Sequence, residues 1–177
     1  MLKELFHPLV GLLHALKRLR EKYQKSFTLV LTGPENGNAP FIRQKVVEMG
    51  MEDHVVFTGF IRMDELVCLY QNAFAMVFPT FFGPDNIPPL EAFALGCPVV
   101  ASRVQGAPEQ LGDGALLFDP ADEEEIALCI EKLITAPQER NRLIENGYRR
   151  VKELGVDHYV SKLISVVNEF EKYRRCW

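Results

Sequence analysis

The chain has 177 residues, of which 47% are hydrophobic and 25% are charged, and its formal net charge is −4. These proportions are typical of a folded globular domain and exclude an intrinsically disordered chain. Because a mildly acidic chain offers no basic face to a phosphate backbone, we do not expect a nucleic acid as a partner.

Cysteine and histidine residues are few and scattered along the chain. The cysteines show no CxxC or zinc-like spacing, and three of them lie in apolar segments. They are Cys68, Cys97, Cys129 and Cys176. Such cysteines predict free thiols in a reducing compartment, and hence a cytoplasmic protein. The histidines are equally dispersed, so no metal site is expected.

Leucines at helical spacing indicate that the chain opens with a packed amphipathic helix and not with a signal peptide or a membrane span. They are Leu5, Leu9, Leu12, Leu13, Leu16 and Leu19. Basic residues such as Lys17 and Arg18 are typical of the solvated outer face of such a helix. Peripheral association with the inner face of an anionic membrane is the alternative for them.

Short apolar strands alternate with helices along the first two thirds of the chain. Strands are predicted over residues 27–32, 55–58, 75–78, 99–101 and 115–118. Helices are predicted over residues 40–49 and 64–72, then up to Gly96, and after Ala121 from about 122, 137 and 157. This order predicts an α/β fold with a doubly wound, Rossmann-like parallel sheet and C-terminal helices. No linker interrupts the chain, so residues 1–177 are predicted to form a single domain.

A proline-rich loop and a short helix join the strand at 75–78 to the strand at 99–101. In an open parallel sheet such a loop lies at the carboxyl end of its strand, where ligands bind. Pro88 and Pro89 suit a first helical turn, and the N–H groups of Asn86 and Ile87 are available to a diphosphate. Glu91 is placed in that first turn, where its carboxylate can accept two ribose hydroxyls. The alternative is that Glu91 only complements the helix dipole and that the prolines stiffen a loop.

Four landmarks in order carry a family resemblance. They are residues 29–33, residues 55–61, residues 88–99 with Glu91 and Gly96, and residues 106–114. With them, residues 27–170 resemble the nucleotide-binding C-terminal domain of retaining glycosyltransferases of the GT-B fold. That group includes sucrose synthase and many polysaccharide mannosyl- and glucosyltransferases.

The resemblance implies a set of donor-binding residues. The family signature is two glutamates separated by seven residues, of which Glu91 matches the second, on the ribose, while the first falls on Gly83. Asp85 is then the substitute carboxylate beside the sugar and the candidate catalytic residue. Phe60 and Ile61, which follow Gly59, are expected to contact the base. The implied donor-binding set is Gly33, Phe60, Ile61, Gly83, Pro84, Asp85, Asn86, Ile87, Leu90 and Glu91. Arg62 and Arg103 are the cations expected nearest the ligand, although a solvated surface arginine is commoner.

The implied reaction moves a hexose from a nucleotide diphosphate sugar to a glycan or lipid-linked acceptor, with retention and without a metal or cofactor. The family holds its acceptor in an N-terminal domain and stabilises the leaving diphosphate with an arginine and a lysine at the first helix. Here the lysine position falls on His7, and the strand before that helix and the acceptor domain are absent. We therefore expect a donor domain truncated at its N-terminal edge and inactive in isolation. A non-catalytic Rossmann-like module for partner binding or regulation is the alternative, and a nucleotide-sugar epimerase of the same fold is a third.

Overall fold

The computed structural model describes residues 8–24, 27–34, 37–83 and 87–174. Its strands are β1 (Leu29–Thr32), β2 (Val55–Gly59), β3 (Met76–Phe78), β4 (Val99–Ser102) and β5 (Ala115–Phe118). Its helices are α1 (Pro8–Tyr23), α2 (Ala39–Glu48), α3 (Met63–Asn72), α4 (Ile87–Ala94), α5 (Ala107–Leu111), α6 (Glu123–Thr135), α7 (Pro137–Glu153) and α8 (Val156–Arg174). Short 3₁₀ turns precede β2 and β5. The predicted α/β class is confirmed, and the first strand begins two residues later than predicted.

The five strands are parallel and form two hydrogen-bonded groups. β1 pairs with β2, and β3, β4 and β5 pair in that order. The two groups share one hydrophobic core, because Leu31 of β1 and Val77 of β3 both pack against it. Among the described residues no strand pairs with the edges of β1 and β3 that the pairings leave open. The parallel arrangement was predicted, whereas the division into two groups was not.

One face of the strands is covered by α1, α2 and α6. Leu12, Leu13, Leu16 and Leu19 of α1 are buried there, as their spacing predicted, with Leu13 fully enclosed. Leu9 is partly buried, and Leu5 lies outside the described residues. The outer side of α1 is tied to α6, because Arg18 pairs with Glu124 and Lys22 pairs with Glu131. Two of the basic residues on this helix therefore serve its docking onto α6.

The opposite face of β3, β4 and β5 is covered by α4, α5 and α7. Phe93 of α4 is 1% exposed, and its ring fills a space that exists because two neighbouring residues lack a side chain. A Cβ added to Gly114 or to Gly147 would lie 2.8 Å from a carbon of that ring. Since real side chains essentially never approach so closely, these glycines fix how α7 and the turn before β5 pack on α4.

Three regions of the described structure are exposed to solvent: one face of β1 and β2, helix α3 and helix α8. Val30 of β1 and Val56 of β2 are exposed on the face away from the shared core, and α3 has no buried residue although one side of it is apolar. The apolar residues of α8 are exposed as well. In the part of the chain that the structure describes, no helix combines the length and the apolar character that a membrane crossing requires.

Candidate active site

Helix α4 holds the most strongly predicted ligand-binding residue. The helix begins at Ile87, so Glu91 is its fifth residue and lies beyond the first turn. The sequence analysis had placed Glu91 within that turn. That placement was wrong because the helix starts before the two prolines. Since the influence of the helix dipole is concentrated in the first turn, Glu91 gains less from it than predicted. Its side chain must act mainly through direct contacts.

The carboxylate of Glu91 lies between α4 and α3. The hydroxyl of Tyr70 donates a hydrogen bond to its Oε2 at 3.3 Å. Burial, with the neighbouring charge of Glu91, raises the pKa of Tyr70 to about 12, so the hydroxyl keeps its proton. Both side chains line a cavity of about 180 Å³. The rest of its lining is apolar and comes from Met63, Leu66, Val67, Ala94 and Leu95.

A second cavity of about 190 Å³ lies at the carboxyl ends of β1 and β2. Gly33 and Gly59 both line it, and the N–H of Gly33 donates to the carbonyl oxygen of Gly59 at 2.9 Å. Gly33 has a φ of 125° and Gly59 a φ of 66°, conformations that side chains rarely adopt. The chain immediately after β2 carries Phe60, which is 86% exposed. Gly33 and the start of the Phe60–Ile61 segment are thus brought to one edge of the strands.

The remaining predicted residues divide into three groups. Leu90 is partly buried and packs against the core beneath α4. Ile87 is 57% exposed at the start of the helix, and Gly83 is partly buried in the loop after β3. Pro84, Asp85 and Asn86, with the candidate catalytic carboxylate among them, lie outside the described residues, as does His7.

The two predicted cations are held by carboxylates. Arg62 contacts Asp64 at 2.8 and 3.0 Å. Arg103 donates to Glu125 at 2.9 Å and to the carbonyl oxygen of Leu117 at 3.0 Å. These pairings raise the pKa of both guanidinium groups. In this arrangement both arginines fix local structure, and Arg103 ties the end of β4 to α6.

Sequence reasoning missed two residues that shape the site. Tyr70 fits the apolar spacing of α3, so nothing in the sequence marked it as the partner of Glu91. Ser102 is 1% exposed, and its hydroxyl accepts the backbone N–H of Thr80 at 2.8 Å, which anchors the loop after β3 to the end of β4. A polar residue that ends an otherwise apolar strand was the one available signal. Within the described ranges no three histidine, cysteine or acidic residues are grouped to hold a metal ion.

The fold is an α/β domain with parallel strands, and small cavities lie at the carboxyl ends of β1 and β2 and between α3 and α4. Comparison with known families identifies it further. The family described as glycosyl transferases group 1 matches residues 8–150. The chain therefore belongs to the group 1 glycosyl transferases, and the resemblance drawn from its four landmarks is confirmed.

Individual relatives agree with this assignment. The chain is 35% identical over 153 residues to the MMP alpha-(1->4)-mannosyltransferase of Mycolicibacterium hassiacum, covering 83% of this chain and 36% of that protein. Sucrose-phosphate synthase from Thermosynechococcus elongatus superimposes with a TM-score of 0.77 at 23% identity, covering 97% of this chain and 43% of that one. Anabaena HepE, solved in complex with UDP-glucose, gives 0.68 at 22% identity and covers 78% and 41%. The chain thus spans well under half the length of these proteins, and the two structures share its GT-B fold.

Proposed function

We propose that this chain is the donor-binding domain of a glycosyltransferase that takes a hexose from a nucleotide diphosphate sugar. The observation that carries the proposal is Glu91, a partly buried carboxylate that Tyr70 holds at an apolar cavity between α3 and α4. A carboxylate beside apolar walls suits a nucleoside, whose ribose offers hydroxyl donors and whose base offers a flat apolar surface. Because the chain belongs to the glycosyl transferase family, we take that nucleoside to be part of a nucleotide diphosphate sugar.

The size of the cavity limits what it holds. Its volume of about 180 Å³ is smaller than the ~300–1,000 Å³ of sites that enclose a complete small ligand. The cavity therefore accommodates the nucleoside, and the diphosphate and sugar extend towards the start of α4. The N–H groups at that helix end favour the diphosphate charge. Asp85 is proposed as the carboxylate beside the sugar, in place of the one that Gly83 lacks.

We also propose that a longer protein completes the domain. β1 and β2 are joined by α2, which lies on the same face as α1. Since crossover connections are right-handed, a strand leading into α1 would lie beside β1 on the side away from β2, next to the open edge of β3. The separate acceptor domain belongs to the same longer protein. The acceptor is a glycan or a lipid-linked glycan, and the transfer proceeds with retention.

We propose that this protein is cytoplasmic, which the free thiols of Cys68, Cys97 and Cys129 support; Cys176 lies outside the described residues. A peripheral contact with the membrane remains the less favoured arrangement, because α1 uses Arg18 and Lys22 to bind α6. Sedimentation of the chain with anionic phosphatidylglycerol vesicles tests that contact, which would appear as salt-sensitive binding.

Isothermal titration of the 177-residue chain with UDP, GDP and ADP tests the donor site. One nucleotide should bind, and Glu91→Gln should weaken its binding by about tenfold or more, since a hydrogen-bonded charge is lost. Glu109→Gln is the matched control, because it removes an equal charge from an exposed position on α5. Absence of binding by a folded chain would favour the partner-binding module instead. We expect no sugar transfer from this chain alone, and turnover of UDP-glucose or GDP-mannose would contradict that expectation.

A further inference from the structure

The side chain of Glu91 has one hydrogen-bond donor beside it. In the described parts of the chain, the hydroxyl of Tyr70 is its hydrogen-bond partner, 3.3 Å from Oε2, and no lysine or arginine pairs with it. The other side chains that line the described cavity are apolar and donate no hydrogen bond. A carboxylate has about four acceptor positions, so most of them stay open to a ligand. Glu91 therefore depends on Tyr70 for its orientation.

Tyr70 is suited to orient a neighbouring group. Its ring packs against the core that contains Phe93 and Val99, so the hydroxyl has a defined position. Tyrosine has two side-chain torsions and is ordered at low entropic cost. The long side chain of a glutamate loses far more conformational freedom when it is ordered. Because Tyr70 orders Glu91 before a ligand arrives, the ligand does not bear that cost on binding.

Burial of Tyr70 by itself also explains a contact of this kind, because a buried tyrosine hydroxyl needs a partner. The direction of the hydrogen bond adds a further constraint. Burial, with the charge of Glu91, raises the pKa of Tyr70 to about 12, so the hydroxyl remains a donor at neutral pH. Glu91 is then presented as an acceptor, and a group that binds it must donate. The hydroxyls of a ribose donate, whereas a sugar that lacks them cannot.

We propose that Tyr70 is a positioning residue, which fixes the carboxylate of Glu91 so that the site selects ribose over a sugar without the 2′ and 3′ hydroxyls. This role rests on the proposed donor site and goes beyond it by naming the residue that makes the site selective. Tyr70 acts through Glu91 and does not contact the ligand. Because its hydrogen bond to Glu91 is longer than most between hydroxyl and carboxylate, the effect on binding is moderate.

Isothermal titration of the 177-residue chain with UDP, GDP and ADP, and with their 2′,3′-dideoxy forms, tests this role. The wild type should bind one ribonucleotide about tenfold or more tightly than its dideoxy form, since hydrogen bonds to a carboxylate are lost. Tyr70→Phe should reduce that ratio by about threefold or more and leave the affinity for the dideoxy form nearly unchanged. A tyrosine that only supports packing would lower both affinities together.

Two further variants complete the test. Tyr159→Phe is the matched control, because it removes the same hydroxyl from a tyrosine that is 67% exposed on α8, and it should leave the ratio unchanged. Glu91→Ala should abolish the preference for ribose. Adding Tyr70→Phe to Glu91→Ala should change nothing further, since the hydroxyl acts only through that carboxylate. Denaturant titration checks that every variant is folded.

The failure of this role and that of the donor site can be told apart. A folded wild type that binds none of these nucleotides would overturn both together. Binding by the wild type with an equal ratio in Tyr70→Phe, or with both affinities lowered equally, would overturn the role of Tyr70 alone. The same conclusion would follow if Tyr70→Phe raised the ribonucleotide affinity, because the tyrosine would then compete with the ribose for Glu91.

Discussion

The two groups of strands differ in how fully they are enclosed. All four residues of β4, the central strand of its group, are buried, because helices cover both of its faces. In β1 the residues alternate between partly buried and exposed, and Val30 is 37% exposed. The group of β3, β4 and β5 therefore carries a complete double-sided core, whereas β1 and β2 depend on one face. Helix α4, which carries Glu91, therefore packs on the more fully enclosed group of strands.

Removing the ring that joins α4 to α7 is expected to give the largest effect. Phe93→Ala should lower the free energy of unfolding by about 3–5 kcal/mol, because the ring is buried between two glycines that cannot fill the cavity. Phe60→Ala, on the 86% exposed ring after β2, should change it by less than about 0.5 kcal/mol. Denaturant titrations measure both, and equal losses would remove the distinction between the two groups.

The same substitution in both groups gives a more direct comparison. Val100→Thr in β4 should cost about 1–3 kcal/mol, since it buries a hydroxyl where the wild-type side chain is fully enclosed. Val30→Thr in β1 should cost less than about 0.5 kcal/mol, since that position is partly solvated. Urea unfolding of the two variants checks the contrast. A larger loss at Val30 would show that the open face of β1 is covered in solution.

Acid should weaken the packing of α7 against α6, because it protonates Glu139, which pairs with Lys132 of α6. Arg142 and Lys132 hold this carboxylate and lower its pKa from 4.5 to about 2. Because the folded pKa is the lower one, the stabilisation is present above pH ~4.5 and is lost as the pH falls towards ~2. The unfolding free energies of wild type and Glu139→Gln should therefore converge on acidification. Curves that remain parallel over this range would contradict the assignment.

The smallest effect is expected from Tyr70, whose hydrogen bond to Glu91 is long. Its folded pKa is raised to about 12 from 10.0, so its contribution is complete below pH ~10 and declines as the pH rises towards ~12. Tyr70→Phe should remove the part of the loss of unfolding free energy at alkaline pH that is due to ionisation of Tyr70. The thiols of Cys97 and Cys129, with pKa values of about 11, titrate in both proteins. The Cys129 titration cancels in the difference, whereas the charge of Cys97 also raises the pKa of Tyr70 and so contributes to it. A variant that loses stability with alkali as steeply as wild type would disprove the role of Tyr70.

Local signals explain what the sequence could predict. The strand at 115–118 was located correctly because an apolar run there is bounded by Gly114 and by Asp119–Pro120. The α/β class could be predicted because such strand signals recur along the chain and alternate with helical patterns. The position of Glu91 in its helix was misjudged because helix starts are set by tertiary packing as well as by proline preference.

Long-range contacts explain what could not be predicted. Arg103 is committed to Glu125, 22 residues later in the chain, and Tyr70 to Glu91 on another helix. Neither partnership leaves a periodic or compositional trace. A missing strand before α1 was expected, but not that β1 and β3 would carry the open edges, because strand pairing depends on which strands meet in space and not on the sequence of either strand.

If the Glu91 cavity holds a nucleoside, as proposed, the fit of Phe93 between Gly114 and Gly147 limits how its base preference can be redesigned. Glu91 and Phe93 lie on the same short helix, so sliding that helix to admit a larger base would force the ring into backbone. The opposite wall is more permissive, since no side chain of α3 is fully buried. Mutant libraries that aim to exchange one base for another should therefore vary Met63, Leu66 and Val67 and leave α4 untouched.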